Sequence, residues 1–116
     1  MPDTLRISVD PQADGIAVVR FTGRLDFASA PEARDHFAAV IADGRQTLIV
    51  DLSTVGFVDS AGLGSLIGGM RAARQAGGNL RIADPSEQSR MLLSLTSLDQ
   101  VLTLSPTVEE ALRDVS

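Results

Sequence analysis

From Phe57 to Gly64 the chain reads Phe-Val-Asp-Ser-Ala-Gly-Leu-Gly, a carboxylate and a hydroxyl side by side and then two glycines. The run just before it, Thr47 to Leu52 (Thr-Leu-Ile-Val-Asp-Leu), has the pattern of a strand covered on both faces. The residues after it have helical spacing, so Ser60 falls where a buried strand hands over to a helix. In open α/β sheets, ligands and partners gather at that end of the strands. A hydroxyl at a helix N-terminus has two ordinary uses: it caps the free N–H groups of the first turn, or it holds an anion over them.

Catalytic uses of the same residues fail on spacing. A hydrolase elbow needs glycine two residues before the serine, and Val58 stands there. A serine triad needs a histidine base, and the one histidine, His36, lies mid-helix between Asp35 and Phe37. A phosphate-binding loop of the Gly-x4-Gly-Lys-Ser/Thr kind needs a lysine, and the chain has none. Asp51 and Asp59 stand alone among apolar neighbours, without metal-ligand spacing. With no cysteine, disulfides, thiolate zinc sites and cysteine catalysis are excluded. No catalytic residue, metal or cofactor is expected, and the chain does not read as an enzyme.

The elements that must position this segment follow from periodicity. Leu5, Ile7 and Val9 alternate with polar residues as a strand, Asp14-Gly15 makes a turn, and Ile16 to Thr22 is the hairpin partner. Ser29-Ala-Pro-Glu32 has the form of a capping box, opening a helix with Ala33, Phe37, Val40 and Ile41 inward and Gly44 as its stop. Thr47 to Leu52 is the next strand, Ser60 to Ala76 the next helix, and Leu80, Ile82 and Ala83 another strand. A helix with Met91, Leu92 and Leu95 facing inward, a strand over Val101 to Leu104, and a helix capped by Thr107 with Ala111, Leu112 and Val115 inside complete the chain. The order β-β-α-β-α-β-α-β-α implies an α/β fold: residues 1–116 as one domain, a mixed, mostly parallel sheet covered by about four helices.

The 116 residues are 44% hydrophobic, enough for one core, and the only aromatics are four phenylalanines. Ten basic against fifteen acidic residues give a net charge of −5, with the arginines scattered. Nucleic-acid binding needs a basic face, so DNA, RNA and anionic membranes are disfavoured as partners. No apolar run approaches the ~20 residues that span a bilayer, and no signal-peptide pattern is present, so a cytoplasmic location is expected.

The helix after Ser60 is unusual. At about 100° per residue, Leu63, Leu66, Ile67 and Met70 share one face, with Ala73 at its edge, while Ala61, Gly64, Ser65, Gly68 and Ala72 share the other. Each internal glycine costs about 1 kcal/mol relative to alanine, so Gly64, Gly68 and Gly69 need a reason. Either the helix is squeezed by close packing within the domain, or its smooth face is a lane for a partner's helix. The motif at its start favours the second.

Asp59-Ser60-Ala61-Gly62-Leu63-Gly64 resembles the Asp-Ser-(Ser/Thr/Ala)-Gly-Leu-Gly signature of STAS-domain anti-sigma factor antagonists. Gly23-Arg24-Leu25-Asp26 is similar to their Gly-Glu-Leu-Asp, and Ser29 sits where they carry Thr or Ser. The resemblance covers nearly the whole chain. It implies that Ser60 is phosphorylated by an anti-sigma factor that is itself a serine kinase, that a PP2C-type phosphatase reverses this, and that the unphosphorylated protein binds the kinase and so frees a sigma factor. It further implies a partner surface from Asp26, Ser29, Asp59, Ser60, Ala61, Gly62, Leu63 and Gly64, to which the lane adds Gly68. Two positions depart from the family: Arg24 replaces Glu, and Thr96-Ser97-Leu98 replaces Thr-Gly-Leu, with local geometry the expected consequence of the second. Within the fold, the alternatives are a STAS scaffold protein or a transporter accessory subunit; outside it, a small nucleotide-binding module using Gly62 and Gly64.

Overall fold

The computed structural model describes residues 5–115. The chain runs β1 (Arg6–Pro11), β2 (Ile16–Leu25), α1 (Ala30–Ala42), β3 (Thr47–Val58), α2 (Ser60–Gln75), β4 (Asn79–Ala83), α3 (Glu87–Leu95), a short 3-10 turn (Leu98–Gln100), β5 (Thr103–Ser105) and α4 (Val108–Val115). One five-stranded sheet has the order β1-β2-β3-β4-β5. β1 is antiparallel to β2, and the other neighbours are parallel. The mixed, mostly parallel sheet and the element order are those expected from the sequence. In the hairpin connection Asp14 and Gly15 take φ of +61° and +75°, conformations that a short polar residue and glycine tolerate best.

Strand alternation divides the interior between the two faces of the sheet. Ala17, Val19 and Phe21 of β2 with Leu48, Val50 and Leu52 of β3 meet Phe37 of α1, Leu66 and Met70 of α2 and Leu93 of α3. On the other face Ile16, Val18, Ile49 and Ala83 pack against Ala111 of α4, with Val108, Leu112 and Val115 alongside. Thr107 caps α4 as its position suggests, its Oγ1 accepting the Glu110 amide at 3.0 Å.

Several local expectations are corrected. The third strand does not stop at Leu52 but runs to Val58. Its register against β2 slips between Arg20↔Asp51 and Thr22↔Thr54, and again between Gly23↔Val55 and Arg24↔Phe57. Each slip inserts one extra residue into β3, a bulge that re-aims the strand end. Polar Ser53 and Thr54 hid this continuation, because that stretch is exposed. The capping box at Ser29 does not form. The chain already turns at Asp26, whose carbonyl takes the Ser29 and Ala30 amides, and Pro31 supplies no N–H. The Ser29 hydroxyl instead donates to the Arg24 carbonyl at 2.8 Å and accepts the Asp26 amide at 3.0 Å.

The inward face of α3 is only partly as expected: Leu92 is half-buried against the core, but Met91 and Leu95 are not. Leu93 is fully buried beside Ser89, while Met91 is 57% and Leu95 76% exposed. Gln88, at the start of the same helix, is tied to the end of β3. Its side chain accepts the Val58 amide and donates to the Val58 carbonyl, both at 2.9 Å, in place of a neighbouring strand beyond the end of β4. The last strand lies at Thr103–Ser105 rather than from Val101, because the 3-10 turn occupies Leu98–Gln100. Just before that turn Ser97 takes φ of +61°, so the serine holds a left-handed backbone conformation that glycine adopts more easily.

One buried charge lies on the α4 side of the sheet. Asp51 accepts from the Arg20 Nε at 2.8 Å and from the Ser53 amide at 2.9 Å. Burial pushes its carboxyl up, but the Arg20 guanidinium and the Ser53 hydrogen bonds outweigh this and hold it below the usual carboxylate value. A carboxyl lowered in the folded state stabilises fully above its unfolded pKa of about 3.9, and that stabilisation is lost as pH falls through the folded value. Asp51→Asn should therefore cost roughly 1–3 kcal/mol at neutral pH. In urea melts across pH 2 to 7, its deficit against wild type should shrink below about pH 4.

Candidate functional site

The site forms where β2 and β3 end together. The Asp59 amide donates to the Leu25 carbonyl at 3.3 Å, closing the pair. Asp59 is extended, with φ −111° and ψ −174°, and is the N-cap of α2. One carboxylate oxygen accepts the Gly62 amide at 2.8 Å, and the other accepts the Phe27 amide at 2.9 Å. Capping therefore belongs to Asp59, not to Ser60. Ser60 is the first helical residue, exposed, and its hydroxyl makes no hydrogen bond to the described residues.

Beside it, the β2–α1 loop is held by Asp26. Its carboxylate accepts the Ala28 and Ser29 amides at 3.1 and 3.2 Å and the Arg24 Nε at 3.2 Å. Desolvation raises the Asp26 carboxyl, but these hydrogen bonds, from Arg24 first, hold it below its usual value. The Arg24 guanidinium also lies 4.2 Å above the Phe57 ring, a cation–π contact. The arginine that departs from the family pattern thus ties the strand ends to the loop.

Gly62 lies against Leu25: a Cβ there would overlap the Leu25 carbonyl oxygen. Along α2, Gly64 and Gly68 are exposed, with nothing within 4 Å of where a Cβ would stand. Gly69 faces inward, where a Cβ would come 2.6 Å from the Phe37 ring and 3.0 Å from Leu80. Close packing within the domain therefore accounts for Gly62 and Gly69, while Gly64 and Gly68 stand open on the surface. Ser65 corrects the lane: it is fully buried, its hydroxyl donating to the Gly62 carbonyl at 2.6 Å. Lower down, Gly68 and Ala72 form one wall of a groove whose other side is Arg34, Phe37 and Ala38 of α1.

Residues 9–111 match the model of the STAS domain. The chain belongs to the STAS domain family. The anti-sigma-B factor antagonist of Bacillus subtilis is 29% identical over 106 residues, 90% of this chain and 96% of that protein. An anti-sigma factor antagonist from Mycobacterium paratuberculosis is 32% identical, with a TM-score of 0.87 over 99% of this chain and 97% of the other. The Bacillus cell fate determinant SpoIIAA in its phosphorylated form is 25% identical, with a TM-score of 0.75 over 96% and 100% of the two chains.

In this STAS domain the sequence-derived site residues divide by exposure. Ser60, Gly64 and Gly68 are exposed, Asp26, Ser29, Asp59 and Ala61 are partly exposed, and Gly62 and Leu63 are buried. Gly62 and Leu63 thus hold α2 in place, and the Ser29 hydroxyl is committed within its own loop. Sequence reasoning passed over Phe27, which is 80% exposed beside Asp59. Its only signal was an aromatic residue outside any periodic element. Among the described residues no cluster of His, Asp and Glu could hold a metal ion, and no helix is long and apolar enough to cross a membrane.

The glycines make a paired prediction. Gly62→Ala should cost about 3 kcal/mol or more, because backbone must move to admit the methyl group. Gly68→Ala should stabilise by up to about 1 kcal/mol, and Gly68→Gln should leave folding nearly unchanged. Thermal melts of the three variants check both directions.

Proposed function

We propose that this STAS domain is an anti-sigma factor antagonist that binds a serine-kinase anti-sigma factor when unphosphorylated and is switched off by phosphorylation of Ser60. The observation that carries the reading is the division of labour at the start of α2. Asp59 does the capping, so the Ser60 hydroxyl has no structural duty and stands in solvent at a helix N-terminus. The sequence signature, the antagonists among its relatives and the phosphorylated SpoIIAA neighbour support the same reading.

The chemistry follows from the placement. The kinase transfers the γ-phosphoryl group of ATP to the Ser60 oxygen, and a PP2C-type phosphatase hydrolyses the ester. The product adds a charge of about −1.5 to −2 at pH 7. The Ser60 and Ala61 amides, unpaired among the described residues, can solvate that charge, so the domain stays folded. Against a partner, the phosphate meets the Asp59 carboxylate away from water, and each lost 1.4 kcal/mol or so is about tenfold in affinity.

Incubated with its kinase and ATP, the protein should gain one phosphate, and Ser60→Ala none, by intact-mass measurement. Full phosphorylation of Ser60→Ala would overturn the assignment. Ser65 is an implausible substitute because it is buried, and Ser29 because its hydroxyl is bonded on two sides. Ser60→Asp should bind the kinase more weakly than wild type in calorimetry, with an unchanged melting temperature.

A further inference from the structure

Phe27 is the most exposed large hydrophobic side chain among the described residues, at 80%. The other phenylalanines all have partners. Phe21 and Phe37 are buried with ring centroids 5.7 Å apart, and Phe57 lies under Arg24. Nor is Phe27 on a slack loop. Its own amide is held by Asp59, the residue before it by Arg24 and by the Ser29 hydroxyl, and the two after it by the Asp26 carboxylate. Polar bonds on both sides thus fix the backbone that presents an apolar ring to water. The same Asp59 carboxylate caps the helix that begins at Ser60, so ring and hydroxyl are carried on one rigid unit.

We infer that Phe27 is the apolar anchor of the docking surface, entering an apolar pocket that the anti-sigma factor kinase presents beside the site that receives the Ser60 hydroxyl. This rests on the function proposed above and adds to it the residue that gives the complex its hold and register. Buried aromatics dominate the energetics of most interfaces, and one carried on an ordered backbone loses less entropy on docking than one on a slack loop. The alternative occupant, a second copy of this chain, is disfavoured by the placement: a self-association through Phe27 would cover Ser60 and close it to phosphoryl transfer.

The test uses the full chain against each serine-kinase anti-sigma factor of the host, by calorimetry and by initial rates of Ser60 phosphorylation. Phe27→Ala should bind roughly tenfold more weakly or worse, raise KM for phosphorylation with little change in kcat, and melt as wild type does. Phe27→Leu should recover most of the affinity. Met91→Ala, which removes an exposed apolar side chain from α3, should change nothing. Wild-type affinity in Phe27→Ala overturns the inference while leaving the functional reading intact. So does an equal loss in Met91→Ala, or a concentration-dependent dimer that Phe27→Ala abolishes. If the wild-type chain binds none of these kinases, the functional reading fails and the anchor fails with it.

Discussion

The Asp59 carboxylate divides its oxygens between two elements, taking the Gly62 amide of its own helix and the Phe27 amide from a loop 32 residues earlier. Serine or asparagine caps helices about as well as aspartate. Each of them, however, offers a single side-chain oxygen, whereas the ionised carboxylate offers two acceptors with room for both amides. An aspartate is therefore suited to cap α2 and pin the β2–α1 loop at once. Ser60 follows from that choice. Because its neighbour satisfies the helix end, the serine hydroxyl is left without a structural partner in an otherwise well-bonded corner.

For Asp59 to reach both amides, the strand ends must arrive together. The two bulges let the 12 residues of β3 accompany the 10 of β2, so that Asp59 follows directly on the Leu25↔Val58 pair. Contact between Gly62 and the Leu25 backbone then sets how closely α2 approaches, and Gly69 lets Phe37 of α1 come in lower down. On the open side of β3, Gln88 supplies the hydrogen bonds that a further strand would have made. The site is thus rigid because three neighbouring elements each close one gap around it: β2, α1 and α3.

These relations explain which parts were legible in the sequence. Periodicity found each strand and α-helix and implied a mostly parallel sheet, because the apolar runs of β2 and β3 answer to burial on both faces and that of α2 to burial on one. The Asp59-Ser60 corner was legible as a motif, though which of the two residues capped the helix depended on backbone angles that no spacing encodes. The mistakes cluster where a polar side chain bonded outside its own helix. Met91, Leu92 and Leu95 form a good helical stripe, yet the helix turns Leu93 and Ser89 inward with Leu92 at the edge, in the orientation that lets Gln88 reach the Val58 backbone. Likewise Ser29 matched a capping box until Asp26, through the preceding turn, claimed its surroundings. Phe27 had no pattern to betray it; its meaning lies entirely in what holds it and in its exposure.

The charge pattern of α2 makes the proposed switch selective for the complex. Its first turn contains no acidic residue, so the positive end of the helix dipole is answered only by the Asp59 cap, and a phosphate on Ser60 would find favourable amides there. Asp59 repels that phosphate, but the cost depends on the surroundings. Two unit charges 4 Å apart repel by about 1 kcal/mol in water and about 4 kcal/mol where the effective dielectric constant falls to about 20. In the free domain Ser60 is exposed, water screens the repulsion, and the dipole offsets what remains. Docking removes that water. The same two charges then oppose each other at several times the strength, so the penalty falls on the complex far more than on the fold.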